Sequence, residues 1–472
     1  MPPGAQVVVV GAGIGGLGAA LALSRTGHRV TLVERDDTPL PDSVEAAFDW
    51  DRRGAPQVRH SHGFAARLHQ ILQARFPDVL DDLRAAGVVE HDLGALLPAE
   101  LGDGLGAVTV LAARRTTYEW VLRRATLRSP GVRLVVGVGV RALLTESAAG
   151  GPPRVTGVAL DDGTVLAGDA VVASTGPRGE LARWLAPHGV AVPETVAATG
   201  VVYLSRFYRL RPGRSLPGGI VQAASRRAGL SYSCVEADNG TYSITIAVES
   251  DDTELRRHLL EPERFEAVCR LLPGIEHLTD PDLAAPITGV HAMGSLVNRL
   301  RSFVDRDGRP RVTGLHALGD AHTTTNPVYG RGCALAMVQA ALLSDAFAAH
   351  PHDPVARAAA YEQASAREIE PWYHFAVNGD ALRTEADGVR PDDPRFTLQD
   401  LMRAGAAEPA LLPKTLRVLT LLDTPDLVAD DRQFVDTLAS VRADRAAKAA
   451  ARRARGDRPP VQRADLLRAG AG

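Results

Sequence analysis

The sequence predicts an α/β protein, α+β in total, with a parallel sheet, a second sheet of antiparallel strands and a C-terminal helical region. Near the N-terminus, the β-branched run at residues 7–10 leads through closely spaced glycines into an apolar helix, as a central parallel strand does. Between residues 198 and 285, apolar and polar residues alternate with period two, as in antiparallel strands with one buried face. Beyond Glu370 the pattern is that of helices and loops.

These patterns divide the chain into three predicted domains. The first is discontinuous and comprises residues 1–197 and 286–365, because the α/β pattern resumes near residue 310. The second is the antiparallel sheet of residues 198–285, and the third is the helical region of residues 366–472. Residues 441–472 contain nine basic and three acidic side chains, and we expect this tail to be solvated and partly disordered.

Composition and charge are those of an ordinary globular protein. The chain has 472 residues, of which 45% are hydrophobic and 23% charged, and its formal net charge of −3 predicts neither nucleic-acid nor membrane binding. Three widely spaced cysteines indicate neither a disulfide framework nor a zinc site, so a reducing, cytoplasmic location is expected. The apolar stretch from Val7 to Leu23 is interrupted by glycines, which predicts a strand, a turn and a helix rather than a membrane span.

The first motif is G-x-G-x-x-G, formed by Gly11, Gly13 and Gly16 between the first strand and the first helix. Bare backbone lets a pyrophosphate approach, and the helix N-terminus offers it N–H donors. The next strand, "HRVTLVE", ends in Glu34, whose carboxylate is placed to accept hydrogen bonds from a ribose, and Arg35 follows it. Strand, turn, helix and acid in this order predict a Rossmann-like dinucleotide-binding site.

The middle of the chain predicts further strands of the same layer. "RRTTYEWVLRRAT" is a helix whose start carries Arg115, and "VRLVVGVGVRALL" contains a strand. Asp161-Asp162-Gly163 is a hairpin turn between two alternating runs. "DAVVASTG" is apolar on both faces and ends in Thr175-Gly176, so we expect it to re-enter the parallel sheet.

The antiparallel region predicts the wall of a ligand pocket. Asn239-Gly240 marks a tight hairpin, and Tyr242, Ile244 and Ile246 share one apolar face of the strand after it. An apolar sheet face is a common pocket wall, so these three side chains and Tyr203 are the expected substrate-pocket residues.

The second motif is "GDAHTTTNPVYGRGCALAMVQA", residues 319–340. Here the carboxylate of Asp320 follows a predicted strand, and Pro327, Gly330 and Gly332 precede a helix that starts near Cys333. Together with the first glycine motif, Arg115 and "DAVVASTG", this segment resembles the FAD-dependent monooxygenases of the p-hydroxybenzoate hydroxylase fold. That superfamily also contains geranylgeranyl-reductase-type enzymes and flavin-dependent halogenases.

The resemblance covers roughly residues 5–350, and "RGAPQVRHSH" and "NPVYGRG" are most similar to the branch of polyether epoxidases and natural-product tailoring oxygenases. It implies that one FAD spans both glycine motifs. Asp320 would bind a ribityl hydroxyl and Pro327 would lie beside the isoalloxazine ring. Gly330 and Gly332 would let the following helix direct its N–H groups at the N1/C2 carbonyl edge, where the positive helix end favours the reduced flavin.

The resemblance also implies roles around the adenosine and the phosphates. Glu34 would bind the adenosine ribose, Arg115 would lie near the flavin or its phosphates, and Val140 would offer its backbone to the adenine. Arg53 and Gln57 are candidates on a loop that faces the flavin.

The implied activity is that of a monooxygenase that inserts one oxygen atom from O₂, through a C4a-hydroperoxyflavin, into a small-molecule intermediate of natural-product biosynthesis. Hydroxylation and epoxidation both remain open. Thr175-Gly176 stands where aromatic hydroxylases of this fold carry Asp-Gly, so electrons could come from NAD(P)H bound directly or from a separate flavin reductase. The other expected partners are a substrate and at most a second copy of the chain, without nucleic acid or membrane.

The superfamily includes two other activities that this sequence bears on. A reductase or dehydrogenase of the geranylgeranyl-reductase type needs the same cofactor site and is the alternative. A halogenase is disfavoured, because Lys414 and Lys448 lie outside the flavin-binding region and the W-x-W-x-I-P signature is absent.

Several polar side chains near the second motif are candidate catalytic residues. His322 and Asn326 lie in the loop expected over the flavin ring, where either could position the substrate or carry a proton, and hydrogen bonds within the loop are the alternative for both. For His60, His62 and His69, hydrogen bonding in the flavin loop or surface exposure is favoured over metal binding, since no carboxylate has matching spacing.

Overall fold

The computed structural model describes residues 4–102, 105–147, 151–216, 221–227, 229–385, 389–455 and 461–470. The strands in these ranges are β1 (Gln6–Val10), β2 (Arg29–Glu34), β3 (Val89–Asp92), β4 (Thr109–Ala112), β5 (Val132–Val136), β6 (Val140–Glu146), β7 (Arg154–Leu160), β8 (Val165–Ala167), β9 (Ala170–Ala173), β10 (Glu194–Ala198), β11 (Val201–Leu210), β12 (Val221–Arg227), β13 (Leu230–Glu236), β14 (Thr241–Glu249), β15 (Ala284–Pro286), β16 (His291–Met293), β17 (Val297–Arg301), β18 (Leu315–Ala317) and β19 (Thr323–Thr324). The helices are α1 (Ile14–Arg25), α2 (Val44–Phe48), α3 (Ala66–Arg75), α4 (Pro77–Ala85), α5 (Ala99–Gly102), α6 (Arg115–Arg128), α7 (Leu181–Leu185), α8 (Thr253–Leu259), α9 (Pro262–Cys269), α10 (Gly332–Ala349), α11 (Pro354–Glu368), α12 (Glu370–Thr384), α13 (Leu398–Ala407), α14 (Leu412–Leu419), α15 (Asp426–Ala429), α16 (Arg432–Arg455) and α17 (Arg463–Arg468).

The predicted parallel sheet is present, with strand order β18-β9-β1-β2-β5. Val9 of β1 pairs with Leu32 of β2 on one side and Val172 of β9 on the other, so "DAVVASTG" re-enters the sheet as predicted. One face of the sheet is covered by α1, α6 and α10, and the other by the antiparallel β6-β7-β8 sheet and α7. Helix or sheet on both faces explains why its strands are apolar on both sides.

Both predicted hairpins are confirmed. β7 and β8 pair antiparallel around Asp161-Asp162-Gly163, with Gly163 at φ +88°. β13 and β14 pair antiparallel around Asn239 and Gly240, at φ 56° and 64°. Positive φ at both central residues is the signature of a type I′ turn, which Asn-Gly favours.

The second sheet has the order β12-β13-β14-β11-β15, and β16 also pairs with β11, so the sheet continues past residue 285. The prediction that Tyr242, Ile244 and Ile246 line a pocket is wrong. Each is 0% exposed, in a core that includes side chains of α8 and α9. These two helices follow β14 in the chain and cover the apolar face of the sheet, which therefore forms the interior of this layer.

The C-terminal region is helical, as predicted, and its aromatic residues Trp372, Phe375 and Phe396 join the core around α1 and α10. The expected disorder of the tail is wrong for its described part: α16 reaches Arg455, and Leu466 of α17 is buried in the core under the second sheet. Helix α10 has the length and composition of a membrane span, but 72% of it is buried, as in the core helix of a globular protein.

Candidate functional site

The first glycine motif forms a tight turn with one open position. Gly11 has φ +99°, and a Cβ there would overlap the carbonyl oxygen of Ser174, so the turn requires glycine. A Cβ on Gly16 would overlap the carbonyl oxygen of Gly11. Gly13 differs, because a Cβ built there meets nothing within 4 Å. The backbone at Gly13, directly before α1, is therefore open to an approaching ligand.

The N-termini of α1 and α10 lie side by side. Two glycines that were not singled out from the sequence allow this: a Cβ on Gly15 would meet Leu318 and Ala336, and one on Gly18 would meet the Met337 sulfur at 2.5 Å. Gly332, the first residue of α10, is exposed, and a Cβ there would meet nothing within 4 Å. Two helix ends with bare backbone thus face the same region, as binding of one extended anionic ligand requires.

Asp320 and Arg115 lie close enough to interact across this region. Burial raises the pKa of the Asp320 carboxyl, and the charge of Arg115 opposes that rise. Arg115 donates to Glu119 through Nε (3.1 Å) and Nη2 (2.9 Å), while its Nη1 lies 3.6 Å from the Cys333 sulfur at the start of α10. Among the described residues, no hydrogen bond is made to the Asp320 carboxylate, which leaves both of its oxygens available to a hydroxyl-bearing ligand.

A buried ion network surrounds the acid at the end of β2. Glu34 accepts from the Ala12 N–H at 2.8 Å and the Asp36 N–H at 3.0 Å. Arg52 pairs with Asp36 and with Glu119, each at 2.8 Å, and lies 3.8 Å from Glu34. The network ties the first glycine turn to α6. A carboxylate has about four acceptor sites, so Glu34 keeps capacity for a ribose hydroxyl.

Arg52 corrects one sequence prediction. Arg53 was expected on the flavin-facing loop, but its side chain is 73% exposed and pairs with Asp51 on the surface. The buried arginine is its neighbour, with a side chain only 1% exposed. Sequence alone could not separate the two, because the acids that bind Arg52 lie on β2 and α6.

The other predicted nucleotide contacts keep their status as predictions. Arg35 is exposed just after Glu34, and Gln57 is half-buried in a short 3₁₀ turn over Pro56–Arg59. Val140 begins β6, four residues after Val136, which pairs with Glu34 at the carboxyl edge of the parallel sheet.

The loop of residues 60–64 joins this region to the polar face of the second sheet. Ser61 shares hydrogen bonds of 2.6 Å with both Ser243 and Thr245, Ser205 bonds Thr245 at 2.7 Å, and the His60 Nδ1 bonds Ser205 at 2.9 Å. Thr245 and Ser61 remain partly exposed. This hydroxyl-lined face was missed as a site, although the alternation had already placed Ser243 and Thr245 opposite the apolar residues.

The two histidines of that loop are neutral. Burial lowers the pKa of His60 to about 4, with a smaller contribution from His291. Burial also lowers the pKa of His62 to about 3, and the charge of Arg115 lowers it further. His62 therefore lies near the first turn of α6, whereas His69 is apart from both and bonds Glu90 at 2.6 Å.

Asn326 holds the second glycine segment in place. Its side chain accepts from the Tyr203 hydroxyl and from the Val328 N–H at 3.1 Å, and donates to Asp380 at 2.7 Å. Asp380 also accepts from Asn298 at 2.8 Å. These contacts do not support the predicted catalytic role of Asn326, because its amide is used within the loop. Tyr203 is the predicted pocket residue that does lie on the face toward this loop.

The predicted catalytic role of His322 is wrong. The ring is 1% exposed, stacks on Phe303, and bonds Thr323 at 2.7 Å and Glu362 at 3.5 Å. His322 directly follows the short Gly319–Ala321 3₁₀ turn, and its ring is buried in the protein. By contrast, Pro327 and Val328 are exposed and border the open end of α10.

These residues fit FAD. Gly13 and Gly332 leave room at two helix N-termini, Glu34 lies where the adenosine ribose is expected, and the Asp320 carboxylate lacks a hydrogen bond from the described residues. When bound, FAD supplies redox chemistry at its isoalloxazine ring, and the protein supplies orientation and charge.

Comparison with known proteins finds similarity to flavoenzymes. A family model described as FAD dependent oxidoreductase matches residues 6–46, the first glycine motif and β2. Protein Rv3254 of Mycobacterium tuberculosis is 29% identical over 459 residues, 89% of this chain and 90% of the relative. Kynurenine 3-monooxygenase of Salinispora arenicola is 26% identical over 392 residues, 76% of each chain.

Solved structures share the fold at low identity. PqsL of Pseudomonas aeruginosa in complex with 2-aminobenzoylacetate has a TM-score of 0.59 and 17% identity, covering 80% of this chain and 96% of PqsL. The flavin-dependent brominase Bmp2 has a TM-score of 0.57 and 15% identity, covering 95% of this chain and 99% of Bmp2. The anhydrotetracycline hydroxylase OxyS of Streptomyces rimosus has a TM-score of 0.56 and 18% identity, covering 89% of this chain and 76% of OxyS. The shared fold confirms the predicted fold class. The family match over residues 6–46 and the kynurenine 3-monooxygenase relative support FAD as cofactor and an FAD-dependent oxidoreductase as the enzyme class.

Proposed function

We propose that this FAD-dependent oxidoreductase is a monooxygenase that hydroxylates or epoxidises a small-molecule intermediate of natural-product biosynthesis. One atom of O₂ enters the substrate and the other leaves as water, with two electrons taken from NAD(P)H directly or through a flavin reductase. The observation that carries the proposal is the pair of open helix N-termini at Gly13 and Gly332, with the uncommitted Asp320 carboxylate beside the second.

The hydroxyl-lined face of the second sheet is the proposed substrate side. Tyr203, on this face, bonds the loop that carries Pro327, and Ser61 bonds Thr245 and Ser243 next to it. The substrate would lie between this face and the flavin ring, where Ser61, Thr245 and neutral His62 can accept or donate hydrogen bonds. Tyr242, Ile244 and Ile246, buried on the opposite face, take no part.

The names of the relatives support oxygenation but differ in chemistry. Kynurenine 3-monooxygenase and the anhydrotetracycline hydroxylase OxyS are oxygenases by name, and PqsL was solved with 2-aminobenzoylacetate. Bmp2 is a brominase. In this chain Lys414 pairs with Asp431 and Lys448 with Asp444, both on the C-terminal helices, so neither lysine is placed at the glycine segments. A location in the cytoplasm belongs to the same proposal.

The test is oxygen labelling of the purified yellow protein with NADPH, with and without a general flavin reductase. The first compounds to try are kynurenine, 2-aminobenzoylacetate and anhydrotetracycline, followed by polyene and polyketide panels. A product that carries one oxygen-18 atom from labelled O₂ is expected. Double-bond reduction or desaturation without label would favour the reductase alternative, and a brominated product with added bromide would overturn the proposal.

A further inference from the structure

Arg331 is a buried cation without a hydrogen-bonding partner at the start of α10. It lies between Gly330 and Gly332 and is 2% exposed. None of its three guanidinium nitrogens has a hydrogen-bond partner in the described part of the chain. Its guanidinium carbon lies 4.7 Å from the ring centre of Tyr329, 4.5 Å from that of Trp372 and 4.6 Å from that of Phe375.

Several other buried arginines of the described residues are neutralised. Arg52, Arg114 and Arg115 have side chains 8% exposed or less, and each pairs with a carboxylate within 3 Å. Within the described ranges Arg123 and Arg357 form no ion pair, but Arg123 has acids nearby and Arg357 donates to backbone carbonyl oxygens. No such ion pair to Arg331 occurs among the described residues. Each cation–π contact contributes roughly 0.5–2 kcal/mol, which offsets only part of the desolvation of an unpaired charge. Burial lowers the pKa of Arg331 to about 10, so the side chain stays charged at neutral pH.

A buried cation without an ion-pair partner destabilises the fold. Preorganised positive groups, in turn, stabilise negative charge that develops at a functional site. The guanidinium nitrogens are enclosed by protein, so an effect of Arg331 on a bound ligand would be electrostatic and not a direct contact. Arg331 directly precedes Gly332, the first residue of α10, where a Cβ would meet nothing within 4 Å. A positive charge beside a helix N-terminus adds to the helix dipole and acts more strongly in a low-dielectric interior than in water.

We propose that Arg331 is an electrostatic residue that stabilises the negative charge of the reduced flavin ring at the N-terminus of α10, and thereby raises the reduction potential of the bound FAD. Hydride transfer from NAD(P)H delivers two electrons and one proton, so the reduced ring carries one negative charge. The inference rests on the proposed placement of the ring beside Gly332 and Pro327.

The test is the two-electron midpoint potential of the purified holoprotein, measured anaerobically against a reference dye at neutral pH. Arg331→Met keeps the apolar packing and removes the charge, so its midpoint potential should become more negative than that of the wild type. Arg331→Lys keeps a cation between the three rings and should restore most of the difference. Arg357→Met is the matched control. Arg357, on α11, is buried with its guanidinium carbon 4.2 Å from the ring centre of Phe347. The midpoint potential of this variant should equal that of the wild type.

Equal potentials for wild type and Arg331→Met, with FAD retained by both, would overturn the inference. A colourless wild-type protein, which takes up no FAD, would instead contradict the proposed function, so the two failures are distinguishable. If Arg331→Met does not fold, the wild type decides through the pH dependence of its potential. One proton per two electrons at and below neutral pH is expected for an anionic reduced flavin, and two protons would contradict the role of Arg331.

Discussion

The Asp320 carboxylate lowers the stability of the protein without ligand, as expected of a group that binds one. Burial raises its pKa, so at neutral pH the folded state is less favourable for the ionised group than the unfolded state. Ionised Asp320 therefore lowers the free energy of unfolding of the chain, and ligand binding is the better explanation for the presence of this residue.

Asp320→Asn, which keeps the shape of the side chain, should weaken FAD binding by about 10- to 100-fold, the equivalent of a charged hydrogen bond of roughly 1.5–3 kcal/mol. Fluorescence titration of apoprotein with FAD measures the change. The free energy of unfolding of the apoprotein should stay equal or rise, because a desolvated charge is removed. A variant that binds FAD like the wild type would contradict the assignment of this residue.

At the same scale, sequence predicted positions set by local backbone and missed those set by distant partners. Gly11, Gly13 and Gly332 were identified because turns and helix ends depend on neighbouring residues. Arg52 was passed over for Arg53, and His322 was placed at the ring, because the groups that bind them come from elsewhere: Glu119 is 67 residues from Arg52, and Glu362 is 40 from His322.

At the scale of elements, strand β14 has a core face and a polar face, and we propose the polar face as the substrate side. Ile244 is buried against α8 and α9, while Thr245 bonds Ser61 of the loop next to the cofactor region. The alternation along β14 predicted both faces, but it did not say which one a helix would cover. That choice depends on α8 and α9, whose apolar sides meet the sheet only in three dimensions.

Two substitutions one residue apart test this assignment. Thr245→Val should leave FAD binding unchanged and lower kcat/KM for the substrate found by oxygen labelling, since two hydroxyl contacts are lost. Ile244→Thr should lower the free energy of unfolding by about 2–4 kcal/mol, from lost packing and a buried hydroxyl, with little change in KM of the remaining folded enzyme. Kinetics and urea unfolding measure both variants, and the reverse pattern would restore the apolar face as the pocket.

The loop of residues 60–64 gives a pH dependence with a defined sign. His60 has a folded pKa of about 4, below the usual 6.5, so between these values the unfolded chain binds a proton that the folded chain does not. The contribution of His60 to stability is present above about pH 6.5 and is lost as pH falls. From pH 7 to 5 the loss is about 2 kcal/mol for this histidine.

His60→Asn, which can keep a hydrogen bond to Ser205, should remove that increment, so its loss of unfolding free energy between pH 7 and 5 is about 2 kcal/mol smaller than in the wild type. Urea denaturation at the two pH values measures it. His69→Asn serves as the comparison, because His69 bonds Glu90 and lies outside the loop. An unchanged pH dependence in His60→Asn would show that His60 is protonated in the folded state.

At the scale of the whole molecule, two segments more than 300 residues apart converge on one region. Gly15 and Gly18 bring α1 against α10, and the bidentate Arg114–Asp238 pair fixes the second sheet on α6, close to Arg115. The order of strands and the two motifs were predictable, because each is a local pattern with known geometry. The joining of the layers was not, because it depends on buried ion pairs and hydroxyl contacts between distant residues.

If the two segments bind different halves of one FAD, the contribution of each segment should be measurable separately with half-ligands, which are molecules that carry only one half of FAD. Apoprotein in a hundredfold excess of ligand over its Kd gains about 2.7 kcal/mol, so both ADP and FMN should raise the Tm of the wild type. Gly13→Val fills open space at the first segment and should abolish the ADP shift while the FMN shift remains. Asp320→Asn should reduce the FMN shift and leave that of ADP.

Gly11→Val is the control for a glycine that the fold itself requires, since its φ of +99° and the Ser174 carbonyl oxygen exclude a side chain. It should lower the Tm of the apoprotein without any ligand, whereas Gly13→Val should not. Because each half-ligand reports on its own segment, equal loss of both shifts in Gly13→Val would mean that the two segments do not bind separate halves. In that case the convergence of α1 and α10 would be a feature of core packing, and the cofactor would bind elsewhere.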